Sequence, residues 1–236
     1  DQKQQLINFF NEALIAYRIN NNISNLRSLQ HGDGSFSWWC EMPGSMYLTT
    51  AVTKLLVRLN TMIGQREETK TMIRNAFRFM DREVAKRVNE MKKEEKKGEK
   101  NLVPSDVLCD YLYTNALAER PSTSDIRYLI GLLTKAPVQL TIYGKANTAV
   151  ILAQYGEQRH AKEYLQSLNE YTVYTEEMGR YFDTPKARYS WFDYKIPTQV
   201  AAIEAMKMLN ADDRKTIEEM QRWLLQAKRT QNWDTP

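Results

Sequence analysis

Apolar residues at Leu6, Phe10, Ala13, Leu14 and Tyr17 fall on one face of a 3.6-residue period, which predicts an amphipathic helix at the start of the chain. Asn20 to Asn22 and Ser24-Asn25 have side chains that compete for backbone hydrogen bonds, so a turn is predicted there. Leu48, Val52, Leu55, Leu56, Leu59, Met62 and Ile63 give the next face. A third runs through Met72, Ile73, Ala76, Phe77, Met80, Val84 and Val88 until it meets a charged run and Gly98. Pro104-Ser105-Asp106 predicts a helix start ahead of Leu108, Tyr111, Leu112 and Leu117, and Ser124 or Asp125 caps a short helix through Leu133. Pro137 marks a boundary, with helix expected to Tyr155 and again over Ala161, Tyr164, Leu165 and Leu168. Pro197 suits a first helical turn before Val200, Ile203, Met206 and Leu209. Asp212-Asp213 then caps Ile217, Met220, Trp223, Leu224 and Ala227.

One stretch breaks the helical series. From Tyr171 to Tyr194 the chain is rich in Tyr, Thr and Phe with Gly179 near its middle, which predicts a short β-like excursion near 171–184. Aromatic loops recur ahead of helices: "GDGSFSWW", "KARYSWFDYKIP" and "KRTQNWDTP". Trp191 and Trp233 stand about 42 positions apart, the length of a helical hairpin plus its loop. Such hairpins build either a solenoid or a closed ring. The loop aromatics Trp38, Trp39 and Trp191 are expected to plug the end of a helix layer.

Composition agrees with an all-α chain. Among 236 residues 42% are hydrophobic, enough for a sizeable core, while nine glycines and seven prolines are few for many short strands. Thirty-three basic against 29 acidic residues leave +4, and the densest basic run, Glu90 to Lys100, interleaves both signs. This reads as a solvated helix end, with no nucleic-acid partner. No stretch reaches the roughly 18 apolar residues of a membrane span, so direct membrane insertion is not expected. The chain starts at "DQKQQLINFF" without a signal pattern and stops at "QNWDTP", where another element is about to begin. The expectation is a single helical domain over 1–236, excised from a much larger multidomain protein.

These segments resemble a known family. "GDGSFSWWCEMPGSMYLTTAVTKLL" resembles the glycine-aromatic-tryptophan loop and following helix of the thioester-type helical domain in alpha-2-macroglobulins. "YFDTPKARYSWFDYKIPTQVAAIEAM" is similar to the matching segment of bacterial members, especially large extracytoplasmic proteins of Bacteroides-like organisms. "WLLQAKRTQNWDTP" is similar to the step that leads into another inner helix. The resemblance covers most of the chain from about His31. It implies an α/α toroid of repeated helical hairpins, as a whole or an incomplete ring. It also implies a non-enzymatic part in protease trapping and inhibition, in host or envelope defence. The implied partners are other domains of the same parent chain and, through the parent, target proteases. The implied location is extracytoplasmic, periplasmic or in the cell envelope.

The family captures proteases through a thioester between Cys and Gln in a Cys-x-Glu-Gln motif. Here Cys40 is followed by Glu41-Met42-Pro43 and Cys109 by Asp110-Tyr111-Leu112, so neither carries the motif and no thioester is expected. Each cysteine reads as a small buried filler.

The same ring fold hosts enzymes, and the alternative is a toroid enzyme acting on carbohydrate or isoprenoid substrates. A cyclase needs clustered aspartates, but Asp212-Asp213 reads as a cap. Zinc through Asp, Cys and His would join Cys109-Asp110 to His31 or a distant His160, and adjacent helical residues diverge. His160 is expected on an exposed helix turn and His31 in a loop. A glycosidase pair would draw on Glu41 or Asp33 near Trp38, and Asp193 near Trp191. No catalytic, cofactor-binding or metal residue is therefore assigned, and no cofactor is expected. The interface candidates are Arg188, Tyr189, Trp191, Phe192, Asp193 and Tyr194, of residue types enriched at binding hot spots.

Overall fold

The Asn11 side chain accepts a hydrogen bond from Leu14 N at 3.1 Å and so opens the first helix of the computed structural model, α1 (Glu12–Ser28). The structure describes residues 11–64, 66–100, 102–135, 141–183 and 195–230. Among these the protein is mostly helical, with nine helices and one small two-stranded antiparallel sheet. It divides into two compact units, residues 1–94 and 95–236.

In the first unit, α1 runs straight through Asn20–Asn22, where the sequence predicts a turn. Asparagine costs a helix only about 0.7 kcal/mol. Against that, Arg66 Nη1 donates to Asn20 Oδ1 and Ile23 is buried, so tertiary contact overrides local preference. Ser45 Oγ accepts from Leu48 N at 3.3 Å to start α2 (Met46–Ile63), which stops at Gly64. The long α3 (Glu67–Lys96) buries Met72, Ala76, Phe77, Met80, Val84, Val88 and Met91, close to the stripe read from the sequence. Thr69 Oγ1 donates to Asn60 Oδ1 at 2.8 Å and ties α3 to α2.

The second unit is built around α6. Its helices are α4 (Asp106–Leu117), α5 (Ser124–Lys135), α6 (Ile142–Gln154), α7 (Gln158–Asn169), α8 (Lys195–Leu209) and α9 (Arg214–Thr230). The cap of α5 is Thr123, one residue before the expected Ser124: Thr123 Oγ1 accepts from Ile126 N at 3.2 Å. Asp213 caps α9 as expected, accepting from Thr216 N at 3.2 Å. Every residue from Ala146 to Ala153 is buried, because α6 packs against α4, α7 and α8. Its small residues, Ala146, Ala149 and Ala153, leave room for neighbours on several sides.

The expected excursion is a hairpin of β1 (Thr172–Thr175) and β2 (Gly179–Phe182), paired antiparallel from Thr172↔Phe182 to Thr175↔Gly179. It lies on α9. Gly179 sits at φ 83°, and a Cβ there would fall 2.3 Å from Glu219 O, so only glycine permits this approach. Tyr181 stacks on Trp223 with ring centroids 6.0 Å apart. Gln199 Nε2 on α8 donates to Arg180 O at 2.8 Å and to Met220 O at 3.1 Å, joining α8, the hairpin and α9.

Candidate functional site

The glycine-aromatic loop between α1 and α2 is folded from within. Asp33 Oδ1 accepts from Ser35 N at 2.9 Å and Ser35 Oγ at 2.7 Å. The hydroxyl bond, with lesser help from Arg82, holds the Asp33 carboxyl below its ordinary range despite opposing desolvation. Gly34, at φ 96°, lets the loop touch α3: a Cβ there would meet Asn75 O at 2.1 Å. Gln30 Nε2 donates to Gly34 O at 3.1 Å and to Met72 O at 2.9 Å. Phe36 is paired by isolated bridges to Gln30 and to Ser45. Its N–H donates to Thr49 Oγ1 at 2.8 Å, and its ring is fully buried.

The plug of this loop is therefore Phe36. Trp38 and Trp39, expected in that role, are 58% and 63% exposed. Phe36 and Ser37 both turn inward, and the chain then reverses, with Met42 N donating to Trp39 O at 3.3 Å and Glu41 at φ 77°. This reversal swings both indoles out. Loop aromatics have no period from which their direction can be read, so the sequence pattern could not choose among Phe36, Trp38 and Trp39.

Helix α2, which follows the loop, is patterned in an unusual way. Its inward face carries Thr49, Thr50 and Thr53, all buried, each hydroxyl donating to the carbonyl four residues back at 2.7, 2.8 and 2.6 Å. Tyr47, Leu55 and Met62 point outward and are exposed. At 100° per residue these three fall within about 80° of one another, one side of the helix. The first unit thus presents five large exposed side chains on α2 and the loop ahead of it. Exposed aromatic and methionine side chains are of the types enriched at interaction sites.

Among the described residues no group of three or more His, Cys, Asp or Glu side chains could hold a metal ion. His31 lies in the loop as expected, half-buried, with Nε2 lacking a hydrogen-bond partner. His160 is half-buried rather than exposed, with Nδ1 3.2 Å from Glu157 Oε2. Cys109 is half-buried on α4, and desolvation, aided by Asp106 and Asp110, pushes its thiol up to about 12. Cys40, expected as a buried filler, is exposed in the Trp loop, and both cysteines are free. Of the glycosidase pair, Asp33 is engaged with Ser35, while Asp193 and Trp191 lie outside the described residues.

All six interface candidates, Arg188, Tyr189, Trp191, Phe192, Asp193 and Tyr194, also lie outside the described residues. Among the described residues the structure shows a polar clamp that the sequence pattern does not reveal. Arg180 Nε donates to Glu219 Oε2 at 2.9 Å and Arg180 Nη1 to Thr172 Oγ1 at 3.1 Å. The one signal in the sequence was the β-like composition before Arg180, with nothing to match it to Glu219. Among the described residues no helix is long and apolar enough to cross a membrane. No family model matches the chain, and no curated protein matches it.

Proposed function

We propose that the chain is a helical domain of a bacterial alpha-2-macroglobulin-like protein, acting without catalysis of its own as part of a protease-trapping and protease-inhibiting assembly outside the cytoplasm. The observation that carries this reading is the hydrogen-bonded loop that leaves Trp38 and Trp39 exposed, ahead of a helix whose Tyr47, Leu55 and Met62 are exposed too. Exposed apolar side chains on a hydrogen-bonded loop suit a domain that docks on its neighbours in a larger chain. The ordered resemblance of "GDGSFSWWCEMPGSMYLTT" and "YSWFDYKIPTQVAAIEAM" to that family supports the same reading, as does helix following helix with a buried α6 at the centre of one unit. In this reading the helices belong to an α/α toroid, and the Trp loop links an outer helix to the inner α2.

The test is protease trapping by the full natural protein. A panel of proteases is incubated with it, and hydrolysis of a large protein substrate is compared with that of a small chromogenic peptide. Enclosure predicts that the large substrate is protected while the peptide is still cleaved. Equal cleavage of both substrates with every protease sinks the proposal.

A further inference from the structure

The outer side of α3 carries a regular cationic row that a count of charges conceals. Lys70, Arg74, Arg78, Arg82 and Lys86 follow one another at intervals of four residues, all exposed. Four residues of helix rise about 6 Å and turn on by about 40°, so the row is an inclined ridge about 24 Å long whose central members, Arg74, Arg78 and Arg82, lie within about 80° of one another. The outer members are already engaged: Lys70 Nζ lies 3.5 Å from Glu67 Oε1 and Lys86 Nζ 2.7 Å from Glu83 Oε1. Arg82 Nη2 donates to the backbone carbonyl of Asp33 at 3.0 Å, which fixes it against the glycine loop. Arg74 and Arg78, at the centre, have no hydrogen bond or ion pair among the described residues. Asp81, next to Arg82 in sequence, is half-buried and already engaged.

We infer that this row is a docking site for an acidic polypeptide segment in extended conformation, with carboxylates at alternate positions. In an extended strand alternate side chains point to one side and repeat every 6.4–6.8 Å or so, close to the spacing of the row. Guanidinium groups bind carboxylates through two parallel N–H···O bonds, so Arg74, Arg78 and the remaining donors of Arg82 can each take one carboxylate. A nucleic acid fits less well. The aromatic residues of α3, Phe77 and Phe79, are buried, so the helix itself offers bases no stacking platform. The same four-residue series continues past Lys86 into Glu90 and Glu94, both bonded to Arg87 at 3.1 Å, so the cationic part ends there and a ligand longer than the row meets carboxylates.

The test uses the intact chain and a fluorescent eight-residue peptide of alternating Glu and Ser, with a Gln-Ser peptide as neutral control. Binding is read by anisotropy at low and at high salt. Charge reversal of Arg74→Glu with Arg78→Glu is compared with Arg18→Glu plus Arg27→Glu, exposed arginines of α1 that change the net charge equally. The row reversal is expected to weaken the acidic peptide about tenfold and the α1 reversal less than about twofold. If melting shows that the row reversal unfolds the protein, Arg74→Gln with Arg78→Gln replaces it. Equal losses in both variants, no saturable binding, or tighter binding of a single-stranded oligonucleotide or anionic vesicles than of the peptide overturns the inference.

Discussion

Arg180 of the hairpin and Glu219 of α9 form an ion pair at 2.9 Å in which the acidic partner is 5% exposed. Burial makes this pair costly to break from one side, since the remaining charge loses its partner. Arg180 keeps about a quarter of its side chain in contact with water, which softens the penalty. Glu219→Ala is expected to cost about 2 kcal/mol in urea unfolding. Replacing both residues by Met should recover part of that loss, and a double substitution worse than either single one would count against the pair.

The same contact constrains the hairpin turn. Gly179→Ala brings a Cβ into the space of Glu219 O at a residue with φ 83°. The expected cost is about 2–3 kcal/mol, from backbone strain and overpacking together. Proteolysis at Glu176-Glu177 should accelerate in this variant, because the hairpin would lift from α9. Unchanged melting and unchanged proteolysis would show that the turn relaxes freely.

Phe36 and its tryptophan neighbours should respond in opposite ways. Phe36→Ala empties a fully buried site and is expected to cost about 3–5 kcal/mol. Trp38→Ala and Trp39→Ala should stay within about 0.5 kcal/mol, as exposed substitutions do. Thermal melts of the three variants settle the order, and a large loss for Trp39→Ala alone would return it to the role of plug.

Two helices of the second unit end in the same six-residue motif with different residues at its left-handed position. After α6 it is Gly156, at φ 89°, with Glu157 N donating to Leu152 O at 2.8 Å. After α4 it is Glu119, at φ 50°, with Arg120 N donating to Asn115 O at 3.1 Å. A side chain pays a steric penalty in that conformation that glycine escapes. Glu119→Gly is therefore expected to stabilise the protein by about 0.5–1 kcal/mol, and Gly156→Ala to destabilise it by about as much. A drop in denaturant midpoint for Glu119→Gly would refute this.

The cysteines should differ sharply in reactivity. With its thiol pushed up to about 12, Cys109 is only about one part in ten thousand thiolate at pH 8. One thiol, Cys40, should react in the native protein and two after unfolding, with the full 27.7 kDa mass and no ammonia-sized deficit. The shift also has a sign for stability. A thiol whose folded value is raised above its ordinary 9.0 contributes stability fully present below about pH 9 and lost as pH climbs towards 12. Tyr155, pushed up to about 12 by burial, acts in the same direction above pH 10. Melting temperature should fall across that window, less steeply for Cys109→Ala, and a flat profile would exclude the mechanism.

What the sequence made legible was whatever carries a period. The stripe of α3 from Met72 to Val88, the hairpin about Gly179 and the Asp213 cap follow from local rules, and the structure has them. Direction in loops does not follow from local rules, which is why Phe36 and Trp38 exchanged places. Nor does the run of asparagines in α1, held by Arg66 from 46 residues away. The cationic row of α3 escaped for a third reason: residues four apart are diluted along the chain and meet only on the helix. Of the candidate surface, the sequence marked the loop but not the outward turn of Tyr47, Leu55 and Met62, since threonines inside α2 invert the usual pattern.

The unbroken burial of α6 from Ala146 to Ala153 bears on how the second unit comes apart. A helix enclosed by α4, α7 and α8 has no side from which solvent can enter while its neighbours stay in place. Its amide hydrogens, from Ala146 to Ala153, can exchange with deuterium only when those neighbours release it together, so they should report the global opening of that unit and exchange last. Fraying can proceed from the hairpin or the end of α9 without touching them. The unit then has a soft rim and one indivisible centre.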